Sequence, residues 1–382
     1  MRDLAAAVTV DAYVPVAGSA RRDASIVLAI SVFLVLVGLL TVYSASSFMA
    51  QADGLPDHYY LRQQASRGLI GLLILYVLAR VDYRVFRQLA WPLLGVTIFA
   101  LLLLVMPGTE RIAPKINGAR RWLDIGVQIQ PSEAAKLVLV IWTASLAAKK
   151  GEQVRSLRWG LAAFAVVYLV VALLIMLEPD LSSMMLIGLL GAIVLFAAGA
   201  RIGHFILLGL LAIPLLWEYV QAASYRVARL ATFMDAGSDP TGAGYHLKQS
   251  LIAVGSGGLF GVGYGESAQK FAFLPEPHND FVFAIIAEEW GLVGVITVVL
   301  AFGLLGFLGL RIARRAPDAF GFLLAVGLTA MIVASALIHI GVSMGLLPTT
   351  GITLPFVSHG GSSLVVSLAA IGILLNIGSW RA

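Results

Sequence analysis

The chain has 382 residues, of which 59% are hydrophobic and only 12% charged, with a mean hydropathy of +0.92. That composition marks an integral membrane protein and excludes a disordered or water-soluble chain. The absence of cysteine removes disulfides and thiol catalysis. The net charge of +5 reflects Lys and Arg gathered on one membrane face, not a nucleic-acid patch.

Residues 1–23 carry mixed charge without periodicity and are expected to form a cytoplasmic tail; 24–382 read as a single membrane domain. Uncharged runs from Asp23 to Asp53, Gln88 to Thr109, Trp159 to Leu177, Leu181 to Ala200 and Trp290 to Leu310 are each long enough to cross about 30 Å of hydrocarbon. Gly68–Ala79 and Leu137–Ala148 complete a crossing with their flanks, and Ile202–Trp217 adds another. The stretch between Asp318 and Arg381 holds two spans and a turn. The expectation is an all-α protein of about ten transmembrane helices. With the loops numbered alternately, one side collects Arg2, Arg21, Arg22, Arg80, Arg84, Arg87, Lys149, Lys150, Arg155, Arg158, Arg201, Arg311, Arg314, Arg315 and Arg381, 15 of the 26 Lys and Arg, and short loops decide orientation. Both termini are therefore expected in the cytoplasm, and the first span is expected to be retained rather than cleaved.

Two outer loops stand out. The first, about 107–133, holds Arg111, Lys115, Arg120 and Arg121 followed by Trp122. Cations kept against the inside bias suit an anionic headgroup such as pyrophosphate; a lipid-headgroup anchor fits the same residues. Pro131, Glu133 and Lys136 read as a helix start, with Glu133 and Lys136 on one face. Lys136 needs a partner, which Glu178 or Asp180 could supply across two spans; a structural ion pair is the alternative.

The second outer loop, about 218–280, has a Gly-rich middle, Gly255–Gly265. No strand precedes it and no Gly-Lys-Ser/Thr follows, so a close-packed or re-entrant turn fits better than a nucleotide loop. The loop ends on His278, Asn279 and Asp280, at the entrance to an apolar helix carrying Glu288 and Glu289. Acids at the rim and deeper in predict a polar cleft between helices. Asp280 suits a general base, a carboxylate between an apolar wall and nearby cations; it also suits a helix cap. His339 and His359 lack companions at metal-ligand spacing and read as structural.

The segments NGARRWLDIG with QPSEAAK, EPDLSS, AGYHLKQSLIAVGSGG, ESAQKFAFLPEPHNDFVFAIIAEEWG and GLLPTTGITLPFVSHGGSSL together resemble the SEDS family (shape, elongation, division and sporulation). The resemblance runs from about residue 25 to the C-terminus and is closer to the FtsW division branch than to the RodA elongation branch. It implies a polymerase of lipid II, making peptidoglycan glycan strands on the outer face of the cytoplasmic (inner) membrane. It puts the essential aspartate on Asp280 and sensitive polar positions on Glu133, Lys136 and Asp180. It also implies a class B penicillin-binding protein as partner, an FtsI-like transpeptidase, with further divisome proteins. Ser182 and His359 depart from the usual Gly and Tyr at those places.

Transfer from an α-linked pyrophosphate to a β-1,4 linkage requires one inverting displacement, for which a single carboxylate suffices as base. The cations available for the leaving group are Arg120, Arg121, Lys136, Arg226, Arg229 and Lys248, with His278 beside the base. No cofactor is required; a divalent cation (Mg or Mn) held by Asp or Glu is compatible with the site. The rival readings are a lipid II flippase, the same polymerase serving elongation, and a non-catalytic scaffold for the transpeptidase. A flippase should distribute its charges through the spans, whereas here they cluster toward the outer ends.

Overall fold

The computed structural model describes residues 17–116, 118–234, 242–271, 273–274 and 276–379. Helix α1 (Ala17–Ala52) starts inside the segment expected to be tail. Asp23, within its second turn, is buried where Arg315 donates at 2.7 Å and Arg311 approaches to 3.2 Å. Two guanidiniums from the far end of a later helix thus hold this stretch helical. Arg2 and Arg381, used in the orientation argument, lie outside the described residues.

The chain then runs through α2 (Tyr59–Leu78), α3 (Val85–Val105), a hairpin β1 (Leu123–Asp124) and β2 (Gln128–Ile129), and α4 (Pro131–Lys150). A 3₁₀ turn and one π-turn lead into α5 (Ala162–Leu177), α6 (Leu181–Ala197) and α7 (Ile202–Gln221). The long loop holds α8 (Ser224–Met234) and α9 (Ala243–Ser256) and precedes α10 (Val282–Arg314), α11 (Ala319–Ser343) and α12 (Gly361–Ser379).

Seven of the described helices are long and apolar enough to cross a membrane. Helices α2 and α4 carry Arg62, Arg67, Glu133 and Lys136, and α6 has 17 residues. Packed among the seven, these three complete a polytopic bundle of ten spanning helices, with the large loop before the eighth. Hydroxyls inside the bundle bond their own helix: Ser31 donates to the Val27 carbonyl (2.8 Å) and Thr41 to that of Val37 (2.9 Å). Each is satisfied without water.

The bundle has a centre and an edge. Helix α11 packs on α4, α6, α10 and α12, and α12 packs on α1, α2 and α4; α7 buries no residue at all. The Gly-rich turn after α9 lies against α10 where that helix is broken. Gly291 adopts φ 64°, ψ −158°, and the chains exchange backbone bonds there. Val262 N donates to the Glu288 carbonyl at 2.9 Å, and Leu292 N to that of Gly258 at 2.9 Å. A Cβ on Gly257 or Gly261 would strike the carbonyl of Ala287 or Glu289. The glycines therefore serve close backbone approach, and Gly291 a conformation costly to other residues.

Candidate active site

The segment leading into α10 is shaped by a turn at Glu276, whose carbonyl accepts from Asn279 N (3.1 Å) and Asp280 N (3.2 Å). The helix cap is Phe281, and no side chain bonds to that end of the helix. Asp280 is therefore not a cap. The residue is half-buried, and its carboxyl has no side-chain hydrogen bond among the described residues. Crowding by protein raises it from 3.8 to about 6, helped by Glu276 and opposed by Arg229 and Arg121. The result is an uncommitted carboxylate near neutrality, within the field of two guanidiniums.

The loop before α12 and helix α2 fix this turn in place. His359 N donates to the His278 carbonyl (2.9 Å), and Ser358 Oγ donates to that of Asn279 (2.8 Å). Gln64 Nε2 reaches the Ser358 carbonyl at 3.0 Å. The Tyr60 ring stands 4.8 Å from that of His278 and 5.3 Å from that of His359. Burial pushes His278 down to about 4 and His359 to about 3, so both rings are neutral at pH 7. His278 lies 3.8 Å from Glu276, but a neutral ring makes no ion pair there.

Arg121 comes from the outer loop just before β1. Its Nε donates to the Glu178 carbonyl at 3.1 Å and Nη2 to that of Pro179 at 2.5 Å. Its neighbour Arg120 turns the other way, to Glu110 at 2.7 Å. Arg226 lies over the Tyr219 ring, 3.7 Å from its centre, and donates to that residue's carbonyl at 2.6 Å. Lys248 is exposed on α9. Of the proposed cations, Arg121 and Arg229 are the two whose charge draws the Asp280 carboxyl down.

Two expectations are corrected. Lys136 pairs with Glu133 on its own helix at 2.7 Å, both buried, rather than with Glu178 or Asp180. Asp180 caps α6, accepting from Ser183 N at 3.1 Å. Glu178 is buried with neither carboxyl oxygen partnered among the described residues; burial and Asp180 raise it to about 9, so it is neutral at pH 7 and cannot serve a lysine.

The second correction concerns the deeper acids, which line no open cleft. Glu288 and Glu289 are each 2% exposed. Glu288 accepts from Ser267 Oγ (2.5 Å) and Ala268 N (3.0 Å). Glu289 accepts from Ser44 Oγ (2.5 Å) and faces Lys270 at 3.5 Å. Lys270 also donates to the Gly265 carbonyl. These groups lock the 265–270 loop to α10 and α1, leaving Asp280 as the accessible acid of the three. His339, read as structural, does bond locally, its Nδ1 2.8 Å from the Ile352 carbonyl.

Sequence reasoning gave no role to Tyr60, Gln64 or Lys270, which meet their partners only through contacts between segments distant in sequence. No group of three His, Cys, Asp or Glu able to hold a metal occurs among the described residues. Asp280 and Glu276 offer at most two carboxylates, fewer ligands than a protein-only metal site needs.

The chain matches a family model described as cell cycle protein, FTSW_RODA_SPOVE, over residues 24–381. It is 40% identical to stage V sporulation protein E of Bacillus subtilis, covering 91% of this chain and 94% of that protein. It is 39% identical to a probable peptidoglycan glycosyltransferase FtsW of Trichlorobacter lovleyi, covering 92% of each. Among solved structures it resembles a chain from a work on structural coordination of polymerization and crosslinking by a peptidoglycan synthase complex. That match has a TM-score of 0.76 at 30% identity and covers 92% of this chain and 96% of the other. The rod shape determining protein RodA of Thermus thermophilus matches with a TM-score of 0.67 at 29% identity, over 92% and 95%.

Proposed function

Because the chain belongs to the FTSW_RODA_SPOVE family of cell cycle proteins, we propose that it is a peptidoglycan glycosyltransferase with Asp280 as its general base. The substrate is lipid II and the product a glycan strand. The observation that carries this reading is the state of Asp280: partly accessible, outside the helix cap, raised to about 6 and facing Arg121 and Arg229. A base works best with a pKa near the working pH.

Asp280 takes the proton from the acceptor 4-hydroxyl as that oxygen attacks the donor's anomeric carbon. The bond to the pyrophosphate breaks on the opposite face, and the configuration inverts. Charge collects on the departing diphosphate, where fixed guanidiniums lower the barrier. Arg121 and Arg229 fit that role because their charges already act on Asp280. No step is assigned to a divalent cation, since the donor set beside Asp280 is too small to hold one alone.

The Lys and Arg bias supports cytoplasmic termini, which sets Asp280 on the outer face of the cytoplasmic membrane. The FtsW relatives support a role in division. The likeness to a peptidoglycan synthase complex supports a class B penicillin-binding protein as partner, FtsI-like in division, alongside other divisome proteins. Elongation stands as the second reading, favoured by the RodA likeness. The test is to give the purified chain lipid II, with and without its transpeptidase, and to separate the products by length. Glycan strands that vanish with Asp280→Ala support the proposal; strands that persist refute the base assignment. Lipid II crossing the bilayer without polymer would make the protein a flippase.

A further inference from the structure

One cavity in the molecule lies far from Asp280. It is an open recess of about 390 Å³ lined by Glu152, Arg155, Ser156, Leu157, Arg201 and His204. Helix α4 starts near the catalytic loop, where Gln130 N donates to Ser362 Oγ at 2.9 Å; it ends at Lys150, beside the recess. Helix α5 ends where Arg121 holds the Glu178 and Pro179 carbonyls and begins just after the recess. Twenty helical residues at 1.5 Å each separate the two ends by about 30 Å. The recess therefore opens on the opposite membrane face.

Its chemistry is that of an anion site. Neither the Arg155 nor the Arg201 guanidinium has a hydrogen bond or ion pair among the described residues. His204 has its Nδ1 buried without a partner there. Arg201 is the cap residue of α7, a twenty-residue helix whose N-terminus receives no side-chain hydrogen bond, so its first N–H groups and dipole add to the field. The surroundings fix the depth. Trp159 is 72% exposed, with the Arg158 guanidinium 5.5 Å from its ring and Lys150 donating to its carbonyl at 2.6 Å. An exposed Trp amid Lys and Arg belongs at the level of lipid headgroups. Basic pockets between spanning helices at that level take phosphate-bearing headgroups.

We infer that this recess binds a phosphate anion through Arg155 and Arg201, presented by an anionic phospholipid headgroup or free in solution. The site is independent of the chemistry at Asp280. Glu152 is the one acid in the lining, and it opposes the bound charge.

The full chain, purified in detergent, is titrated with phosphatidylglycerol, phosphatidylcholine or inorganic phosphate. Retained lipid is counted by native mass spectrometry, and stabilisation is followed by Tm. Phosphatidylglycerol should bind and phosphatidylcholine should not. Arg155→Gln and Arg201→Gln should each weaken binding about fivefold and together about 25-fold. Glu152→Gln should tighten it, which a merely structural role for the lining would not produce. Both arginines are exposed, so these variants keep the fold, and Arg201→Lys, which keeps the charge, should retain most of the affinity. Protection by inorganic phosphate with the same dependence on the two arginines would identify free phosphate as the occupant and uphold the site. Equal retention by parent and double variant, or no effect of either probe, would overturn it.

Discussion

Replacing Asp280 with asparagine keeps the side chain's shape and removes its charge, so catalysis and stability should move in opposite directions. The folded carboxyl sits at about 6 and its ordinary value is 3.8. Raising a carboxyl on folding penalises the charged form; the penalty is absent below about pH 4 and complete above about pH 6. At 1.4 kcal/mol per pH unit the difference approaches 3 kcal/mol, and screening at a partly accessible group reduces it to about 2 kcal/mol. Asp280→Asn should therefore be more stable than the parent at pH 8, match it at pH 4, and make no glycan. In the parent, a base that must be ionised loses activity as pH falls through about 6, leaving about a tenth of the plateau rate at pH 5. Glu276→Gln removes a charge that raises Asp280 and should move this limb to lower pH; Arg121→Gln should move it higher. The assay is the initial rate of lipid II polymerisation across pH 4.5–8, beside thermal unfolding in the same buffers. An Asn variant that polymerises, or a Glu276→Gln limb displaced upward, would refute the assignment.

Lys270→Met strands Glu289 in a buried site and should cost about 3–5 kcal/mol; the added change Glu289→Gln should recover much of that loss, as read from Tm in a double-mutant cycle. Gly261→Ala drives a methyl into the Glu289 carbonyl at the break in α10 and should lower stability by about 1–3 kcal/mol, whereas Gly54→Ala, with open space around it, should show only the lesser strain of its positive φ. His278 and His359 have folded values near 4 and 3, below their usual 6.5, so they withdraw stability as pH falls from about 6.5 toward 4. A His278→Phe/His359→Phe double variant should flatten that part of the Tm-against-pH curve.

The spans were legible because uncharged runs of membrane length need no partner to be recognised. Even α2 and α4 declared themselves, although charges interrupt them. The cluster around Lys270 was hidden for the opposite reason. Ser44 and Glu289 are 245 residues apart and meet only because α1 packs on α10. Arg120 and Arg121 were equivalent in sequence, but the loop before β1 carries them to different partners. One therefore pairs with Glu110 at the surface, while the other reaches the Glu178 and Pro179 carbonyls. Asp280 as base or cap was undecidable from residue type, since both roles want an aspartate before a helix. The turn at Glu276 decides it, making Phe281 the cap residue.

That turn also explains why two neutral histidines stand beside the base. A cation at His278 or His359 would pull the Asp280 carboxyl back toward its ordinary value, and a weaker base would result. Burial against Tyr60 keeps both rings uncharged while their backbones hold the loop through the His359–His278 bond. Positive charge reaches Asp280 from Arg121 and Arg229 instead. Arg121 is anchored on backbone carbonyls rather than on a carboxylate, so its charge is not cancelled by the groups that hold it. Glu178, raised to about 9 and neutral, is the nearby acid that could have neutralised it. The polypeptide thus separates two tasks that one cation could not perform: the backbones of two neutral histidines position the base without adding positive charge, and the guanidiniums offer their field to the leaving diphosphate.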